Sequence, residues 1–439
     1  MALQKVFGVV RARLGGVAAL VLFTCTGVAA EPVEPVVKRL LPETVIAAAT
    51  KAAVDAGPVG PYPVPSTAAA EETEAAAGPE EGGDLAAPAS SWDGVKARLA
   101  ARGVEIGGSY ISDVSRVPGT RQAITRGLST VSAGVDLEKV SPRLKGTSVF
   151  VSHLWKGGSD GTARIPMMQA FSNIDNFNFQ KLYEAFVETR FEHVPVRVKV
   201  GQVDANTEFA VVDGGLDFVN SSMGFSPTIF LLPTYPNPTP SVNVFVDPVS
   251  HLNVGVGVYS QLEGPNRWKH PFVIGQVTGG WSLGEGFDGY LRVGGWRQGV
   301  EDETGFATAH GGVFAVAEQT VWQSAPGQEG TRSLKLFGQY GSSQSVLTPV
   351  SRHIGGGASW TGLLKARAAD VFGVGFTAAR LGLGSDFAGS TELAVGPYYR
   401  LAIADRFQVG PDLQFVRHPG GDPAASTQTV FTLRMMAEF

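Results

Sequence analysis

From Gly103 to the final residue, Phe439, the chain keeps one rhythm: stretches of about ten residues in which apolar side chains alternate with polar or small ones. A period of two belongs to extended chain, whose successive side chains point to opposite faces. In Gly103–Val114, Val104, Ile106, Tyr110 and Val114 share one face, and Glu105, Ser109 and Asp113 the other. In Leu128–Glu138, Val131, Ala133, Val135 and Leu137 oppose Thr130, Ser132, Asp136 and Glu138. After the N-terminal leader no apolar run reaches the ~18 residues of a membrane-spanning helix. If such a chain lies in a membrane, a closed barrel is the architecture left to it, because hydrocarbon offers no partner to a free sheet edge.

Sixteen segments carry the pattern, near 103–114, 128–138, 147–155, 181–191, 196–204, 241–247, 252–260, 271–279, 288–297, 310–320, 332–341, 352–361, 370–380, 391–402, 406–417 and 428–439. Their connections alternate. Long ones fall at 156–180, 205–240, 298–309 and 418–427; tight ones at Glu192–Pro195, Pro248–His251 and Ile403–Asp405. Outer-membrane barrels have that asymmetry, with long loops outside and short turns in the periplasm. The expected fold is therefore all-β: a closed antiparallel transmembrane barrel of about sixteen strands. The last strand places Phe439, Ala437, Met435, Leu433 and Phe431 towards lipid and Glu438, Arg434 and Thr432 towards the lumen. A terminal Phe on an amphipathic strand is a mark read by the barrel-assembly machinery, which is thereby an expected partner along with outer-membrane lipid.

Composition agrees. The chain has 56 glycines and only 17% charged residues, unusual for a soluble enzyme. Residues 1–30 read as a signal peptide. Lys5, Arg11 and Arg13 precede the apolar Gly15–Phe23 and the small-residue site Val28-Ala29-Ala30. The only cysteine, Cys25, leaves with this leader; acylation at Cys25 is the alternative, disfavoured by the bulk of Thr24 before it. Residues 31–90 are rich in Ala, Pro and Glu and cannot bury a core, so they read as a disordered periplasmic extension, with one helical stretch near Val45–Val54. The leader carries +3 and the extension −7, so a total of −5 leaves −1 on the barrel portion, 91–439. Near-neutrality argues against nucleic acid and against a dedicated anion channel. Trp92–Arg102 reads as a short helix, capped by Ser91 or Asp93 and closed by Gly103.

Several separated motifs stand out in the barrel portion: Trp92-Asp93-Gly94 with Arg98-Leu99 and Gly103; Leu182-Tyr183-Glu184; Val200-Gly201-Gln202 with Glu208-Phe209-Ala210 and Phe218-Val219-Asn220-Ser221-Ser222; and Pro411-Asp412-Leu413-Gln414-Phe415 with His418-Pro419-Gly420-Gly421. With these motifs, in this order, the chain resembles the carbohydrate-selective porin family of Gram-negative outer membranes. Asp93 stands where that family usually has Gly. The resemblance implies about sixteen strands, passive sugar uptake, and an eyelet narrowed by inward-folded loops.

A pore makes no bonds; its walls replace part of the solute's hydration. In the hairpin 181–204, Glu184, Glu188 and Arg190 share a phase opposite Tyr183, Ala185 and Val187, and Arg197 and Lys199 share a phase opposite Val196, Val198 and Val200. Charges facing lipid cost ~2–4 kcal/mol at midplane, so this phase is expected in the lumen. A turn at Glu192–Pro195 sets Glu188 across from Lys199 and Arg190 across from Arg197, with Glu184, Asp136 and Glu138 available to neutralise the arginines. The alternative is plain solvation without selectivity. Arg292 and Trp296 share the inward phase of 288–297, where Trp296 serves either as a plate for a sugar ring or in an interfacial aromatic belt. The connection 205–240 is the expected constriction loop, with Asn206, Glu208, Asp213 and Asn220 as its polar groups; a contact between subunits is the other use for it.

Catalytic readings have little support. Gly-x-Ser-x-Gly occurs at Gly157–Gly161 and Gly280–Gly284, neither opening a helix. No phosphate loop is present, and the seven histidines are scattered singly, so neither cofactor nor metal is expected. The expected function is passive diffusion of small carbohydrates, monosaccharides such as glucose, into the periplasm. The alternatives are a pore for small organic acids, a general polar-solute porin, or, in another class, a barrel enzyme or adhesin.

Overall fold

The computed structural model describes residues 91–439, apart from 163, 166, 263–265, 302–306, 325–331, 345–347, 384 and 386–389. The signal peptide and the 31–90 extension lie outside the described residues.

Sixteen antiparallel strands close into one barrel, each paired with its sequence neighbours and β1 paired with β16. They are β1 (Val104–Arg116), β2 (Ile124–Asp136), β3 (Thr147–Gly158), β4 (Phe179–Arg190), β5 (Val196–Val203), β6 (Thr239–Val249), β7 (Leu252–Tyr259) and β8 (Phe272–Ser282) in the first half. The second half holds β9 (Asp288–Glu301), β10 (Ala307–Gln323), β11 (Ser333–Ser343), β12 (Val350–Thr361), β13 (Val371–Leu381), β14 (Thr391–Ala404), β15 (Phe407–Arg417) and β16 (Gln428–Glu438). Closure leaves no backbone edge open to lipid, which is the condition a membrane imposes on a sheet. Among the described residues no helix is long and apolar enough to cross a membrane. The chain is an outer-membrane β-barrel.

The two faces follow the alternation. Phe431, Phe415, Phe376, Ile354, Leu336, Val313, Leu291 and Val277 are exposed on the outer wall, whereas Thr432, Arg434, Gln414, Thr377 and Gln276 are buried on the inner one. Several strands outrun the reading of the sequence. β2 begins at Ile124 rather than near 128, and β9 and β10 extend until only 302–306 separates them, which shrinks the expected long connection 298–309. Pro248 and Ile403 belong to strands, so the turns beside them are tighter than expected.

One end carries both the start of β1 and the end of β16, together with the tight turns 191–195, 250–251 and 405–406. That end is periplasmic. The helix α1 (Trp92–Ala100) lies along it, with the Ser91 side chain accepting from Gly94 N at 3.0 Å and Asp93 paired to Arg406 at 2.5 Å. Gly103, at φ +76°, turns the chain from helix into β1, a conformation open to glycine at no steric cost. Phe439 closes the sheet: its amide and carbonyl exchange hydrogen bonds with Gly108 of β1 at 3.0 and 3.1 Å.

Candidate functional site

The β4–β5 hairpin sets Glu188 opposite Lys199 and Arg190 opposite Arg197. Around these sits a network of both signs. Arg197 donates through Nη1 to Glu208 Oε1 at 3.1 Å and through Nη2 to Oε2 at 2.7 Å, and its Nη1 also reaches Glu188 at 3.1 Å. Lys199 Nζ bonds Glu208 and lies 3.5 Å from Glu188, while Arg190 donates to Glu188 at 3.0 Å. The Arg197 guanidinium stacks 3.9 Å from the Phe245 ring centre and Lys199 Nζ 4.3 Å from that of Phe186. Phe186 pairs with Gly201, whose φ of +142° and a Cβ position 2.6 Å from Phe186 Cα leave no room for a larger residue in Val200-Gly201-Gln202.

Besides Glu188, the carboxylate that answers Arg197 and Lys199 is Glu208, from the loop, and not Asp136 or Glu138. Asp136 instead accepts from the Glu138 amide. Burial would raise the Glu208 pKa; Lys199 and Arg197 outweigh it and hold the carboxyl at about 2. Glu184 is turned away from the arginines, accepting from the Asp204 amide at 3.0 Å. Tyr183 departs from simple alternation. A bulge leaves it without a partner on β3, and its hydroxyl donates to Asp204 at the root of the loop, so it does not face lipid.

The 204–238 loop crosses the lumen. Phe209, Ala210, Ile229 and Leu232 pack with wall residues Phe186, Phe245, Tyr259, Phe272, Ile274, Trp296 and Phe314 in an apolar cluster inside the barrel. Polar anchors continue around the wall. The Ala210 amide donates to Gln276 at 2.9 Å, Gln339 donates to Ser222 O at 2.8 Å, and Arg400 donates to Asp217 O at 2.5 Å. Arg292 bonds Asp213 at 2.9 Å and Val211 O at 2.7 Å. Asn206 and Asn220 shape the loop: Asn206 Nδ2 donates to Phe209 O at 3.2 Å, and Asn220 accepts from Ser222 N at 3.0 Å while donating to Gln414 at 3.1 Å. Trp296 is 4% exposed, its ring stacked 5.7 Å from that of Phe272. It belongs neither to an interfacial belt nor to an open plate, because the loop's apolar side needs an apolar wall to rest on.

A second inward loop, 159–178, lies where the sequence predicts an external connection, 156–180. Its backbone meets the first: Asn173 N donates to Val219 O at 2.7 Å and Ser221 N to Ala170 O at 2.9 Å. Its side chains grip the opposite wall. Asp175 pairs with Arg126 at 2.7 Å, Ser172 donates to Asp113 at 2.7 Å, and Arg434 donates to Asn173 at 2.6 Å. Glu392 of β14 accepts from the amides of Met168 at 3.0 Å and Gln169 at 2.7 Å. Burial pushes the Asp175 carboxyl up to about 6 in spite of Arg126. Alternation did place Asp113 and Arg434 inward, but nothing local marks a loop that folds onto them.

The lumen is thus narrowed by two loops that meet between walls bearing both charges. The sequence matches the carbohydrate-selective porin, OprB family, over residues 120–298 and 277–439. The chain belongs to that family. OprB-family membership makes it a porin with carbohydrate as its class of cargo, and a channel rather than an enzyme. Its fold is similar to that of Pseudomonas putida OprB in a high-pH structure, with a TM-score of 0.70 at 18% identity, covering 79% of this chain and 97% of that one. A low-pH structure of the same OprB gives 0.56 at 17% identity over 79% and 96%. The outer membrane channel DcaP of Acinetobacter baumannii gives 0.51 at 11% identity, over 76% and 97%. No curated protein matches the sequence.

Proposed function

We infer that the chain passes small neutral sugars of monosaccharide size into the periplasm by passive diffusion, along a path bounded by the Arg197–Lys199–Glu208–Glu188 network and by Asp213 and Arg292. The observation that carries this reading is the charge balance of the narrowing. The 204–238 loop brings Glu208 and Asp213 onto the wall bases, so neither sign is left in excess. A neutral solute rich in hydroxyls gains hydrogen bonds from paired donors and acceptors and meets no net field. An organic-acid channel would need unopposed cations in the narrowing. Here Arg126 and Arg434 are each tied to an aspartate.

The test is swelling of liposomes carrying the purified protein in isotonic glucose and in an isotonic trisaccharide. Swelling in glucose is expected to be rapid and in the trisaccharide slow. Equal rates would remove the size assignment.

A further inference from the structure

At the outer mouth the two inward loops leave an aromatic surface that the narrowing does not use. Phe179 and Lys181, the first lumenal residues of β4, pair with Lys156 and Leu154, both buried on the inner wall of β3. They lie at the end opposite the chain termini and tight turns, where the long loops emerge. The Phe177 ring, from the 159–178 loop, stands 5.9 Å from that of Phe179 in an edge-on arrangement. Tyr235, from the 204–238 loop, stands 5.8 Å from Phe179 on centroids, and its hydroxyl donates to Ile174 O at 3.2 Å. Lys181 Nζ sits 4.8 Å from the Phe179 ring centre and donates to Asn237 Oδ1 at 2.5 Å.

Phe177 is 59% exposed. It belongs neither to the lipid-facing phase of a strand nor to the apolar cluster that seats the loop. An aromatic ring left open to water beside an ammonium and an amide suits one class of solute. A pyranose has an apolar C–H face that an aromatic ring covers and a rim of hydroxyls that Lys181 and Asn237 can engage.

We propose that Phe177, Phe179 and Tyr235, with Lys181 and Asn237, form a capture site for the pyranose ring of an incoming sugar, outside the narrowing. This rests on the sugar reading above. The site raises the local sugar concentration at the mouth, so it acts on flux at low sugar and not on the maximal rate.

The test is glucose flux into liposomes carrying the full chain, measured against glucose concentration. Wild-type flux is expected to saturate. Phe177→Ala is expected to raise the half-saturating concentration about two- to tenfold, the worth of one aromatic contact, with maximal flux and KCl conductance unchanged. Phe177→Tyr should keep the wild-type value, and Phe177→Leu should behave like Phe177→Ala. Because Phe177 is largely solvent-exposed, none of these substitutions opens a core cavity. An unchanged half-saturation in Phe177→Ala, or wild-type flux that never saturates, overturns the capture site; if glucose still outpaces equal-sized charged solutes, the sugar reading survives that result. Loss of the glucose preference in the wild type overturns both.

Discussion

Arg434 of the last strand holds Asp113 of the first through two hydrogen bonds of 2.8 Å, Nε to Oδ1 and Nη2 to Oδ2, across the line where the barrel closes. Asp113 also accepts from Ser172 at 2.7 Å, and Arg434 donates to Asn173, so one ion pair fastens both the closure and the 159–178 loop. Removing one member of a buried pair costs about 3–5 kcal/mol, because the other charge is left without a partner. Asp113→Ala should therefore lower the temperature at which the unboiled barrel loses its compact gel mobility. Asp113→Ala with Arg434→Met, which leaves no stranded charge, should recover most of it. Equal loss in the single and double variants would show that the pair is not what matters there.

In the proposed function Glu208 offsets the two bases of the narrowing. In Glu208→Gln, Lys199 and Arg197 face Glu188 alone. The ratio of anion to cation permeability, from reversal potentials in a KCl gradient, should rise. Arg197→Ala with Lys199→Ala should shift it towards cations. An unchanged ratio in both variants would mean that these side chains lie off the ion path.

The same carboxylate dictates a pH dependence. Its folded pKa of about 2 is below the ordinary 4.5, so the stabilisation it contributes is complete above 4.5 and is lost as pH falls through 2. The difference in ion preference between wild type and Glu208→Gln should then persist at pH 4. A difference that vanishes between pH 5 and 4 would show an ordinary, unpaired carboxylate.

Phe209 seats the constriction loop. Its ring stacks 5.4 Å from that of Phe245 within the apolar cluster. Phe209→Ala should cost about 3–5 kcal/mol, enough to release the loop locally while the wall stays closed. The expected readout is faster liposome swelling in a trisaccharide and larger single-channel conductance. A size limit identical to that of the wild type would place the narrowing elsewhere.

The strands were legible because lipid outside and water inside impose a period of two that each segment carries by itself. The Glu188–Lys199 register followed from the length of one turn. What the sequence concealed depends on distant partners. The 159–178 loop turns inward because Gln169, Phe171 and Asn173 find Thr377, Gln414 and Arg434, more than two hundred residues further along the chain. Trp296 was misplaced for a related reason. An inward phase reads as wet, yet here the loop's apolar side makes part of that wall a dry core. Tyr183 was missed because a one-residue bulge has no signature in alternation. Glu208 was picked out as a polar group of the loop, while its grip on Arg197 required the loop to fold back on its own strand.

A narrow, charge-balanced aqueous path should favour neutral sugar over a charged solute of the same size. The deciding comparison is the initial rate of uptake into protein-carrying liposomes of glucose against gluconate, matched in size and differing by one charge. Faster entry of glucose is the result expected here. Equal entry, or faster gluconate, would contradict it.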